Sequence, residues 1–105
     1  MKLIIVLSDD AYEENMSDLF SKANISVFSE MDIKGFKTKN SADQSPSMAS
    51  NWFTASKYPA SSTMNFAFVT EGQETDLMTE IATFNTTIPT AHQIHAFVLN
   101  VEQAI

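Results

Sequence analysis

The sequence contains no cysteine and no arginine. Without cysteine there are no disulfides, no thiolate metal sites and no thiol nucleophile, and a reducing compartment is the setting that fits. Without arginine the chain lacks the guanidinium fork that grips carboxylates and phosphates through paired hydrogen bonds. Its 6 basic residues, all lysine, face 13 acidic ones, for a formal charge of −7. A nucleic-acid binder is therefore disfavoured, because displacing counterions from phosphates takes a dense basic face. Long hydrophobic runs are missing as well. The opening run Leu3-Ile4-Ile5-Val6-Leu7 stops at Ser8-Asp9-Asp10, too short for a signal peptide or a membrane span. Neither export nor membrane insertion is expected, and the cytoplasm is the expected location.

What is present is one domain's worth of chain, 105 residues, with room for one modest core. Leu3 to Leu7, rich in β-branched residues, reads as a strand buried on both faces. Tyr12, Met16, Leu19, Phe20 and Ala23 then recur at helical spacing, with Asp9 or Asp10 as the expected cap and Glu13 and Glu14 in the first turn, where the macrodipole favours negative charge. From Val27 the pattern alternates: Val27, Ser29, Met31 and Ile33 share one face, and Phe28, Glu30, Asp32 and Lys34 the other. A second strand ending at Gly35 follows from this. Met64 to Val69 alternates again as a third strand. Thr70 with Gln73 resembles a capping box, and Leu77, Met78, Ile81 and Phe84 mark a second amphipathic helix. A loop with Pro89 leads to a last strand, His95 to Leu99.

Between Thr38 and Thr63 the periodicity vanishes, and 10 of these 26 residues are Ser or Thr. A loop this long between two strands that would otherwise make a hairpin is expected to be functional. The order strand, helix, strand, long loop, strand, helix, strand is that of the α+β, ferredoxin-like βαββαβ sandwich. One sheet face is then without helices. The first and last strands are apolar on both sides, so another copy of the chain is the economical cover for it.

Two segments resemble the nitrogen-regulatory P-II family. Ile25-Ser26-Val27-Phe28-Ser29-Glu30-Met31-Asp32-Ile33-Lys34-Gly35-Phe36 resembles the strand that ends in Val/Ile-Lys-Gly-Phe and enters the long T-loop. Phe97-Val98-Leu99-Asn100-Val101-Glu102-Gln103-Ala104-Ile105 resembles the ending Phe-Val-x-Pro-Val-Glu-Glu-Ala. The resemblance implies a homotrimer packed through its sheets, small-molecule sites in clefts between subunits, and T-loops that dock on a target protein, often a membrane transporter. It also shows departures. Lys37, Thr38 and Lys39 stand where the family has a basic residue and a glutamine that helps organise magnesium and 2-oxoglutarate. Thr87 to His95 stands where the family has its glycine-rich phosphate loop, yet holds no glycine and includes Pro89, which has no N–H. ATP and 2-oxoglutarate of the standard P-II type are therefore not expected, and the effector is unknown.

The resemblance places the effector cleft at Gly35, Phe36, Lys37, Lys39, Thr87, His92 and His95. Lys34, Lys37 and Lys39 form a basic cluster at the mouth of the long loop; Lys37 and Lys39 could face a common anion, or the lysines could merely balance Glu30 and Asp32. His92 and His95 form an H-x-x-H pair with the alternative reading of a metal site, which would make the chain a metal-ion binding or tolerance protein similar to the CutA family. Met48, Trp52, Phe53 and Tyr58 are the large apolar side chains of the long loop, and aromatic side chains on a polar loop suit docking on a protein partner. No serine or threonine has an obvious neighbouring base, and the carboxylates Asp9, Asp10, Glu13 and Glu14 read as helix-terminal charges. No enzymatic activity is expected.

Overall fold

The computed structural model describes residues 1–36 and 60–105. It is an α+β, ferredoxin-like sandwich: β1 (Lys2–Asp9), α1 (Glu13–Lys22), β2 (Ser29–Gly35), β3 (Ala60–Val69), α2 (Glu71–Asn85) and β4 (His95–Asn100). The four antiparallel strands run in the order β2-β3-β1-β4, which leaves β2 and β4 as the edges. No helix among the described residues is long and apolar enough to cross a membrane.

The side of the sheet that the helices cover follows from the register. Ile4 pairs with Ala67 and Val98, and Val6 with Asn65 and Ala96, so these side chains share a face. Met16, Leu19 and Phe20 of α1 and Leu77 and Ile81 of α2 close over Ile4, Val6, Ala67 and Val69 to form the core. Phe20 is fully buried and stacks on Phe28 at 4.3 Å, which pins the approach to β2. Tyr12 meets Phe84 edge-on at 5.6 Å and joins the start of α1 to the end of α2.

Element ends depart from the sequence reading for local reasons. β1 continues through Ser8 and Asp9, because both still pair with β3, opposite Thr63 and Ser62. Asp10–Tyr12 is a 3-10 turn, and neither Asp9 nor Tyr12, the residues before the two helical segments, makes a side-chain cap. The expected Asp cap of α1 is thus corrected: Asp10 instead accepts a hydrogen bond from Thr63 at 2.8 Å. β3 begins at Ala60, four residues before the expected Met64, since residues 60–63 pair with residues 32–35. The end of α1 is set by Asn24 at φ 60: its N–H reaches Ser21 O and the Ile25 N–H reaches Phe20 O, the paired closure of a left-handed C-cap that asparagine tolerates. At α2 the expected capping box is present, with Thr70 and Gln73 each accepting from the other's backbone N–H.

Candidate functional site

The helix-free side of the sheet is built in cross-strand rows. Leu3 lies beside Phe68 and Leu99, Ile5 beside Phe66 and Phe97, and Leu7 beside Met64 and His95. Met31 extends the third row across β2. Phe68 is 59% exposed, Leu99 46% and Met31 46%, although each sits in regular secondary structure. At the end where β2 exits, the rows turn polar: Asp9 pairs with Ser62, which pairs with Ile33, and Gly35 closes the strand one step beyond.

This polar end carries several predicted residues, spread from edge strand β2 to edge strand β4. His92, in the 3-10 turn Thr90–His92 that precedes β4, places Nδ1 2.7 Å from Asp9 Oδ2. An ionised carboxylate only accepts, so Nδ1 carries the proton and Nε2 is the ring atom left to engage a ligand. His95 stands on the open face of β4 opposite Leu7, and partial burial lowers its pKa from the ordinary 6.5. Gly35 is buried at the end of β2, paired with Ala60, while Phe36 just past it is 71% exposed. Thr87 differs from expectation: its hydroxyl donates to Phe84 O at 2.7 Å, so its side chain closes the end of α2. Lys37, Lys39, Met48, Trp52, Phe53 and Tyr58 lie outside the described residues. The structure thus brings Gly35, His92 and His95 to one end of the sheet, and it adds Asp9, which the sequence reading took for a helix cap. The alternation Leu3, Ile5, Leu7, Asp9 was the available signal.

The mouth of the loop from α2 to β4 is closed by the Asn85 side chain. Asn85 accepts from the Ile94 N–H at 2.8 Å through Oδ1 and donates to Ile94 O at 2.9 Å through Nδ2, mimicking a strand pair across the loop mouth. Within the loop Pro89 has no N–H and the His92 N–H is taken by Pro89 O. This geometry is not a run of free backbone donors curled about a phosphate. Among the described residues no three His, Asp or Glu side chains group so as to hold a metal ion. A hollow of about 720 Å³ at the opposite end of the sheet is lined by Met1, Lys2, Phe68, Thr70 and Asn100, among others. Its one lysine, Lys2, is engaged by Glu74 at 3.7 Å, so it carries less chemistry than the Asp9–His92 end.

Comparison with known proteins agrees with this architecture. No family profile matches the sequence, and no curated protein does. Among solved structures, the chain is similar to CPII, a nitrogen regulatory PII-like protein from Thiomonas intermedia K12 bound to ADP, AMP and bicarbonate. The two share 18% identity over 99% of this chain and 94% of that one, with a TM-score of 0.62. It is also similar to a PII-like signalling protein from Thermus thermophilus, with 12% identity over 95% of this chain and 85% of that one and a TM-score of 0.64. The fold is that of the PII-like proteins.

Proposed function

We propose that the chain is a divergent PII-like regulatory protein. Copies pack through the helix-free sheet face as a trimer, and a small anionic effector binds in the clefts between copies, at the end of the sheet that carries Gly35, Asp9, His92 and His95. The segment carrying Met48, Trp52, Phe53 and Tyr58 then acts on a protein partner, a membrane transporter in the manner of the family the sequence resembles. The observation that carries this reading is the open face itself. Rows of Leu, Ile, Met and Phe lie on ordered strands, and the described chain offers no third layer to cover them. The PII-like fold over nearly the whole chain supports the same assembly. The proposal contains no catalytic step.

The effector follows from the loop chemistry. CPII was solved with ADP, AMP and bicarbonate, but the loop here offers phosphates neither glycines nor a run of free N–H groups. Bicarbonate carries an O–H that can donate to the Nε2 of an imidazole whose Nδ1 is fixed by Asp9, and it is the effector class we infer. Calorimetry with bicarbonate, AMP and ADP tests this on the wild type and on His92→Ala. Bicarbonate should bind and lose at least about tenfold in affinity in the variant, roughly 1.4 kcal/mol. Tight nucleotide binding, or bicarbonate binding indifferent to His92, contradicts the effector assignment.

The Asp9–His92 contact also favours a second reading. A carboxylate that orients an imidazole is the arrangement that supports histidine ligands to zinc or copper. A metal-ion binding protein similar to the CutA family would then show a Zn(II) or Cu(I) affinity that vanishes in the double variant His92→Ala/His95→Ala.

A further inference from the structure

The helix-covered side of the sheet changes character along its length. Around Ile4, Ala67 and Val69 it is apolar, but toward the exit of β2 the buried side chains are Ser8, Thr63 and Asn65. The register sets these residues in two adjacent rows that end on β2: Ser8, Thr63 and Asp32 in one, Val6, Asn65 and Glu30 in the other. Directly paired residues of an antiparallel sheet share a face, so Asp32 and Glu30 carry the buried polar patch out to the sheet edge. Asp10, in the 3-10 turn before α1, joins it from outside the sheet, because Thr63 Oγ1 donates to Asp10 Oδ1 at 2.8 Å. A hollow of about 410 Å³ has both Asp10 and Asp32 in its wall, with Lys34, Ser61 and Ser62 beside them.

Two atoms of this patch are fully buried without a hydrogen-bond partner, Ser8 Oγ and Asn65 Oδ1. A buried oxygen that neither a donor nor a cation satisfies is costly, and native folds rarely leave one. The orientation of the Asn65 amide is fixed by chemistry: Nδ2 donates to Glu30 at 3.5 Å, and exchanging the two amide atoms would set oxygen against carboxylate. Oδ1 is thus an acceptor, Thr63 spends its one proton on Asp10, and Ser8 reaches neither. The patch offers lone pairs and negative charge. Against the carboxylates of Asp10, Glu30 and Asp32 stands Lys34, which forms no ion pair among the described residues.

We propose that the patch binds one hard divalent cation, calcium or magnesium, held by the carboxylates of Asp10 and Asp32, with Ser8, Thr63 and Asn65 supplying neutral oxygens directly or through the ion's water. Carboxylate, amide and hydroxyl oxygens are the donors such cations take, and the set includes neither imidazole nor sulfur. Among the described residues no three acidic or imidazole groups form a ready cage. The ion therefore keeps part of its water, as magnesium does when one or two carboxylates hold it. Bound there, it ties Asp10, ahead of α1, to Asp32 on edge strand β2, whose one strand neighbour is β3. The strand it braces leads to Gly35 and Phe36. The site lies on the helix side of the sheet, whereas His95 lies on the open side, so it stands independently of the function proposed above.

Calorimetry and amide-resolved NMR test the site on the full chain, freed of metal by a chelator and titrated with calcium chloride or magnesium chloride, in the wild type, Asp10→Asn, Asp32→Asn and Glu14→Gln. Asp10 and Asp32 are exposed and asparagine keeps their shape, so both variants should fold, as circular dichroism would verify. One ion should bind per wild-type chain with a dissociation constant of about 10⁻⁴ to 10⁻³ M, and the Asn65 side-chain amide signals should shift as it binds. Asp10→Asn and Asp32→Asn should each weaken binding about tenfold or more, whereas Glu14→Gln, at an exposed carboxylate of α1 outside the patch, should change it by less than about twofold. No binding of either cation to the folded wild type overturns the proposal and leaves a buried water as the partner of Ser8 and Asn65. Binding that both aspartate variants leave unchanged, or that does not move the Asn65 signals, overturns it too, since that is diffuse attraction to a chain of net charge −7.

Discussion

The two faces of this sheet are made of the same residue types but have different fates. On the helix side Ile4, Val6, Ala67 and Val69 are almost wholly buried, because α1 and α2 bring Phe20, Met16, Leu77 and Ile81 onto them. On the other side Leu3, Ile5, Leu7, Phe66, Phe68, Phe97 and Leu99 form rows just as regular, with Phe68, Phe97 and Leu99 exposed. A β-strand apolar on both faces reports two interfaces, and the chain's own helices account for one. The helix-side face is what folds the subunit, and the open face is what a second copy would complete.

The comparison can be broken first on the helix side. Phe20→Ala empties a fully buried aromatic site and removes the stack with Phe28. It should cost about 3–5 kcal/mol by chemical denaturation, a large share of the stability of a domain this size. Asn85→Ala is the next largest. It strands the N–H and C=O of Ile94 and should cost about 1–3 kcal/mol while loosening the turn that carries His92. Changes at the polar end separate function from folding. Asp9→Asn keeps the shape but removes the charge beside His92, so bicarbonate affinity should fall while subunit stability moves by about 1 kcal/mol or less. Smallest of all, Trp52→Ala with Phe53→Ala should leave stability within about 0.5 kcal/mol and abolish capture of the partner protein. A larger loss would mean that these aromatics pack on the fold.

The sequence was readable where side-chain periodicity reports a buried face. The stripe of α1 and the Thr70–Gln73 box map onto the structure, since each is a local pattern with a local cause, whereas β2 begins at Ser29 rather than at the expected Val27 and its alternating residues stay largely exposed. Pairing across the chain was not readable in the same way. β3 starts at Ala60 because β2 offers partners for residues 60–63, and nothing in the polar run Ala60-Ser61-Ser62-Thr63 announces this. Asp9 looked like a cap, but the structure extends β1 to it and the β4 approach delivers His92, 83 positions later, to its carboxylate. His92 and His95 looked like a pair by spacing, whereas one sits in a turn against Asp9 and the other on the open sheet face.

The open face gives the most direct test. Light scattering at micromolar concentration should return three times the chain mass of 11.7 kDa for the wild type. Phe97→Lys places a charge in the middle row of the open face, beside Ile5, and should return one chain mass with an unchanged far-UV circular dichroism spectrum. A wild-type protein that stays monomeric with those rows exposed, or a Phe97→Lys variant that stays trimeric, would contradict the account.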